Sequence, residues 1–82
     1  MPVEIPVTQY DALRKMNPRE GEIAVIVVTR EMKFDSLALM RVTGGQGGEK
    51  RGFIGRRACR AYQAHVKIGG YAHAPLMVAE YI

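Results

Sequence analysis

The stretch Glu22-Ile-Ala-Val-Ile-Val-Val-Thr29 constrains this chain more than any other. Between Ile23 and Val28 every residue is apolar, and all but Ala24 are β-branched. β-Branched side chains suit a pleated strand better than a helix. A strand with no polar face must be covered on both sides, so it belongs in the middle of a sheet. A membrane span is excluded for this run, because a span needs about 20 apolar residues.

The neighbouring segments read as partners for that strand. Arg19-Glu20-Gly21 is a turn ahead of it. The charged segment from Arg30 to Asp35 reads as a hairpin loop, and Ser36 to Thr43 as the antiparallel partner. Nearer the start, Val3, Ile5 and Val7 alternate with Glu4 and Pro6. That pattern makes a short strand, which Pro6 confines to an edge. Thr8 and Asp11 have the spacing of a capping box, which predicts a helix carrying Ala12, Leu13 and Met16 on one face and ending at Asn17-Pro18.

After the glycine-rich segment Gly44 to Gly52, the residues Arg56 to Lys67 predict a second helix. Gly55 serves as its N-cap and Gly69 as its C-cap residue. Pro75 opens a last strand, Leu76 to Tyr81. The expected fold is therefore a small single α+β domain spanning residues 1–82. Its element order is β-α-β-β-α-β, with a three- or four-stranded, mostly antiparallel sheet and two helices on one face.

Eighty-two residues leave little stability to spare for a buried catalytic cavity. A single cysteine, Cys59, excludes an internal disulfide and thiolate-rich zinc sites. MPVEIPVTQY has neither the basic nor the apolar region of a secretion signal, so a cytoplasmic protein with no membrane partner is expected.

Charge is the one feature with functional content. The net charge is +4, but it is unevenly spread. From Arg41 to Lys67 there are seven basic residues and one acid, whereas the remainder has five basic and seven acidic residues. On the second helix, Arg60, Gln63 and Lys67 would fall within about 60° of Arg56, opposite an apolar face of Ile54, Ala58, Ala61, Tyr62 and His65. Arg57 would flank this ridge, with Lys50 and Arg51 just before it. A ridge of one sign forgoes the stabilisation of alternating charges. It suits a phosphate backbone, because guanidinium forks bind phosphate oxygens in pairs and neutralised phosphates release counterions. A solvated face, or contact with an acidic protein, fits the same residues.

Other motifs fail in detail. Gly44-Gly-Gln-Gly-Gly48 lacks the Gly-Lys-Ser/Thr ending of a phosphate loop. Gly52-Phe-Ile-Gly55 has the spacing of the GXXG loop that clamps RNA in KH modules, but Gly44 to Gly48 would break the helix which that loop requires. Cys59, His65 and His73 match no metal-ligand spacing, and no two acids form an acid–base pair. Tyr71 and Tyr81 could stack on bases but are not interleaved with the cations.

These residues lead to an expectation of a small nucleic-acid-binding protein, for DNA or RNA, without cofactor, metal or enzymatic activity. Lys50, Arg51, Arg56, Arg57, Arg60, Gln63 and Lys67 would form its contact surface. The alternative is a protein-interaction module or inhibitor of the phage type that grips an acidic protein surface. An edge strand, Val3 to Val7 or the last one, could also pair with a second copy to make a homodimer.

Overall fold

The structure, a computed structural model, describes residues 1–82. Six strands and one helix follow in the order β1 (Val3–Ile5), α1 (Val7–Arg14), β2 (Glu22–Val28), β3 (Phe34–Gly44), β4 (Lys50–Ile54), β5 (Arg57–Ile68) and β6 (Tyr71–Tyr81). Strands β2 to β6 close into a five-stranded barrel, and β1 adds to its outer edge beside β5.

The expected α+β fold with two helices on one sheet face is therefore wrong: the chain is mostly β, with one short helix. The segment expected as a second helix, Arg56 to Lys67, is not helical: Arg57 to Lys67 belong to the longest strand, and Arg56 lies in the turn before it. Its Ala, Arg and Gln residues are good helix formers, but propensity amounts to under about 1 kcal/mol per residue, and ladder pairing on both sides overrides it. The flanking glycines are turn residues rather than caps. Gly55 has φ 60° at the first position of a two-residue connection, as a type II′ hairpin turn needs. Gly69 and Gly70 both have positive φ, 56° and 86°, which suits a type I′ turn.

The expected capping box is also absent. The helix starts two residues early, at Val7, with Pro6 rather than Thr8 at the N-cap and no side-chain cap, and it ends at Arg14, ahead of Asn17-Pro18. The strand over Glu22–Val28 and its antiparallel partner form as expected, except that the partner begins at Phe34, so Phe34 and Asp35 belong to β3 and not to the hairpin loop. The last strand starts earlier than expected, at Tyr71, and takes Pro75 into a register shift against β5 between Ala64 and Val66. A proline that cannot donate to the ladder is tolerated at such an irregularity.

β2 is buried on both faces, through two separate clusters. Val25 and Val27 join Met40, Cys59, Ala61 and Ala79, while Ile26 and Val28 join Val3, Ile5, Val66 and Val78. Successive side chains on a strand point to opposite faces. The first cluster, with Ile54 of β4 packed against it, fills the barrel. The opposite face of β3 and β4 carries Leu39, Arg41 and Arg51, all exposed, which marks it as the outside. Over β2, β5 and β6 that outer face is covered instead by β1 and by Tyr10 and Leu13 of α1.

The pairing directions explain how one sheet acquires two cores. β2 is antiparallel to β3 and parallel to β6, and β6 is antiparallel to β5, so β3 and β5 run the same way. β4 links the C-terminal half of β3 to the N-terminal half of β5, which are opposite corners of the four-stranded sheet. A twisted sheet is saddle-shaped, so its two diagonals curve to opposite sides. β4 closes one diagonal, and β1 with α1 covers the other.

Gly52 marks the tightest point. It is buried in β4, paired with Val42 on one side and Cys59 on the other. A Cβ built there would lie 1.8 Å from the Arg41 carbonyl oxygen. We expect Gly52→Ala to destabilise the barrel by about 3 kcal/mol or more, because the clash is with backbone and not with a movable side chain. Urea unfolding checks this, with Gly48→Ala, at a position with open space around it, expected to stay within about 1 kcal/mol of the parent.

Candidate functional site

The register of β3 to β6 determines which side chains share the outward face. Arg41 lies opposite Phe53, Arg51 opposite Arg60, and Arg60 opposite Glu80. Arg51 and Phe53 are two apart on β4, as are Arg60 and Tyr62 on β5, so each pair shares a face. The result is a patch of Arg41, Arg51 and Arg60 on three successive strands, with Phe53 among them.

Polar contacts run across this patch in a line. Arg51 Nε donates to Glu49 Oε1 at 2.8 Å, and Arg60 Nη1 lies 3.8 Å from Glu49 Oε2. Arg60 Nη2 reaches Glu80 Oε2 at 3.4 Å, and the Tyr62 hydroxyl donates to Glu80 Oε1. The Arg41 guanidinium sits 5.1 Å from the centre of the Phe53 ring, within cation–π range. The arginines remain open to water despite their pairs: the Arg51 side chain is 59% exposed and that of Arg60 45%.

The residues expected to form one ridge are divided by the strand geometry. Arg60 points outward, whereas Gln63 and Lys67, an odd number of residues away, belong to the other face of β5. Lys67 lies at the far end of the strand, opposite Glu4 of β1. Lys50 begins β4 opposite Ala61, and borders a shallow depression with Gln63, Gly47 and Gly48. Arg56 is exposed in the β4–β5 turn. Arg57 stacks on Tyr81, its guanidinium 3.8 Å from the ring centre, at a cleft that Arg30, Asp35 and Glu80 also line. Only Arg51 and Arg60 of the expected set are neighbours on the patch. Arg41 and Phe53 were missed, and a period-two reading of Arg51, Phe53 and Arg60 as paired strands was the signal that could have found them.

The glycine-rich segment is a compact turn and not a slack connection. The Glu49 amide donates to the Gln46 carbonyl at 3.1 Å. Gly45 has φ 133°, and a Cβ there would lie 2.2 Å from the Glu49 carbonyl oxygen. Only glycine lets the chain fold back this closely, and the fold sets Glu49 beside the arginines.

The remaining reactive side chains do not converge. Cys59 is buried inside the barrel, where loss of hydration pushes its thiol pKa up against the opposing effect of a hydrogen bond from the Ile54 backbone. His65 is exposed on β5. His73 Nδ1 donates to the Ala74 carbonyl at 2.8 Å, which leaves Nε2 to accept from the Tyr10 hydroxyl at 3.1 Å and ties α1 to β6. Tyr71, at the tip of the β5–β6 hairpin, is largely exposed. No helix is long and apolar enough to cross a membrane.

Comparison with known protein families, with curated proteins and with solved structures returned no match.

Tyr62 offers a spectroscopic handle on the patch. Burial, its hydrogen bond to Glu80 and the Glu80 charge push its pKa up from 10.0 to about 12, partly opposed by Arg60. A raised pKa means that the fold favours the protonated phenol. The resulting stability is therefore complete below pH 10 and is lost as pH rises towards 12. Ultraviolet titration of the folded protein should show a phenol with a midpoint near 12. That component should vanish in Tyr62→Phe, and the fall in stability across the same interval should be shallower in the variant.

Proposed function

We propose that the outward face of β3, β4 and β5 binds the sugar–phosphate backbone of nucleic acid, with Arg41, Arg51 and Arg60 as phosphate contacts and Phe53 as a stacking surface for a base. The observation that carries the reading is the arrangement of these three arginines on adjacent strands around one aromatic ring. Like charges directly opposite on paired strands oppose folding, so Arg51 facing Arg60 is an arrangement that sheet stability alone would not favour. Guanidinium groups present paired donors that match phosphate oxygens, and they also stack on aromatic planes. Same-face residues along a strand are about 6.8 Å apart, so the face offers a regular row of contacts to an extended strand.

The wider field supports the same ligand. Seven of the twelve basic residues lie between Arg41 and Lys67, with Glu49 the single acid in that interval. Lys50 and Arg56 carry no ion pair and add to the positive potential around the patch. Phe53 beside the arginines offers base–aromatic stacking in addition to phosphate contacts, a combination that suits a polynucleotide.

Fluorescence anisotropy with labelled single-stranded and duplex oligonucleotides tests the reading. Affinity should fall steeply with salt, and Arg60→Ala should lower the log–log salt slope by about 0.7 on a single strand. Phe53→Leu should weaken single-strand binding by about 1 kcal/mol or more. Lys33→Ala, in the β2–β3 turn and not among the face's arginines, should change neither. An absence of salt-sensitive binding to any DNA or RNA would refute the reading. Binding that ignores Phe53→Leu and survives with acidic polypeptides would point to a protein partner.

A further inference from the structure

Glu49 occupies an unusual position on this face. Arg51 and Arg60 lie directly opposite each other on β4 and β5, and Glu49 bridges them, one carboxylate oxygen to each. Carboxylate and phosphate present the same kind of oxygen pair to a guanidinium fork. The donors that Glu49 engages are therefore ones a phosphodiester would need. The bridge is held in place from behind: the Gln46–Glu49 turn and the close approach of Gly45 fix the Glu49 backbone, while its side chain stays one-third exposed, so water and an incoming anion can reach it.

We propose that the Arg51–Arg60 pair is the principal phosphate-binding site of this surface, and that Glu49 is its internal occupant, displaced when a phosphodiester arrives. This rests on the nucleic-acid reading above and adds a residue that lowers affinity by design of the fold. In the free protein the carboxylate relieves the repulsion between the two arginines, so the sheet tolerates them without a ligand. Exposed ion pairs of this kind are weak, so a phosphate on a polyanion, helped by counterion release, can replace the carboxylate. Isolated small anions lack that second contribution and should compete poorly. The device therefore favours a polymer of phosphates over free phosphate.

The test is anisotropy with a labelled single-stranded oligothymidylate and an oligouridylate. It compares the parent with Glu49→Gln, Glu49→Asp and Glu31→Gln. Glu31 is exposed in the β2–β3 turn and makes no ion pair, so its substitution makes the same change in net charge without touching the Arg51–Glu49–Arg60 bridge. Glu49→Gln should bind about fivefold more tightly than the parent and than Glu31→Gln. Glu49→Asp keeps the charge but lacks the reach to bridge Arg60, and should also bind more tightly than the parent. Binding by Glu49→Gln where the parent shows none would support the proposal in its strongest form. A parent that binds as well as Glu49→Gln, or better, would overturn the displaced-carboxylate role and leave the nucleic-acid reading standing. Absence of binding in parent and variants alike would overturn both.

Discussion

The structure depends on one strand that has no face to give to water. β2 must be covered on two sides, and a single flat sheet with helices on one face cannot do that for a chain of this size. The solution is a saddle. One diagonal of the β3-β2-β6-β5 sheet closes through β4 around Val25, Val27 and Met40, and the other curves over Ile26 and Val28 beneath β1 and α1. Neither core is large. Because the two share a sheet, each holds the other side of the same strands in place.

The same closure creates the functional face. To link β3 with β5, β4 must turn its buried side inward through Gly52 and Ile54, which sends Arg51 and Phe53 outward. Arg41 and Arg60 arrive beside them by register alone. The three arginines and Phe53 are therefore aligned by ladder pairing among three strands, and the turn before β4 adds only Glu49. A rigid scaffold of this kind keeps the side chains aligned without ordering them anew on binding. Glu49 and Glu80 moderate the repulsion among the arginines.

Parts of this arrangement were legible in the residues. The β-branched run of β2 announced a strand covered on both faces, and the pattern from Ser36 to Thr43 announced its antiparallel neighbour. The concentration of charge between Arg41 and Lys67 was plain, and Arg51 and Arg60 were among the residues singled out. The second half of the barrel was hidden by ambiguous periodicity. In β5, Cys59 and Ala61 face the barrel while Tyr62, Ala64, Val66 and Ile68 face the other core. Such a strand has apolar residues on both sides and several alanines, which a helical wheel can sort into a false amphipathic pattern. The glycines would have corrected the error: Gly55 and the Gly69-Gly70 pair are hairpin signals, and a strand reading would have placed Arg51 and Phe53 on the face of Arg60.

The pairing of β2 with β6 has a kinetic consequence. Ile26 meets Val78, and Val3 meets Val66, so part of the cover of the most apolar segment comes from the opposite end of the sequence. Contacts this remote must overcome a large loop entropy before they contribute anything, which slows barrel formation relative to a helical chain of equal length. During synthesis, Ile23 to Val28 leaves the ribosome long before its neighbour exists, and only the β2–β3 hairpin can shield it in the interval. The charged turn from Arg30 to Lys33 places three exposed charged side chains at the tip of that hairpin, where they hold it in water.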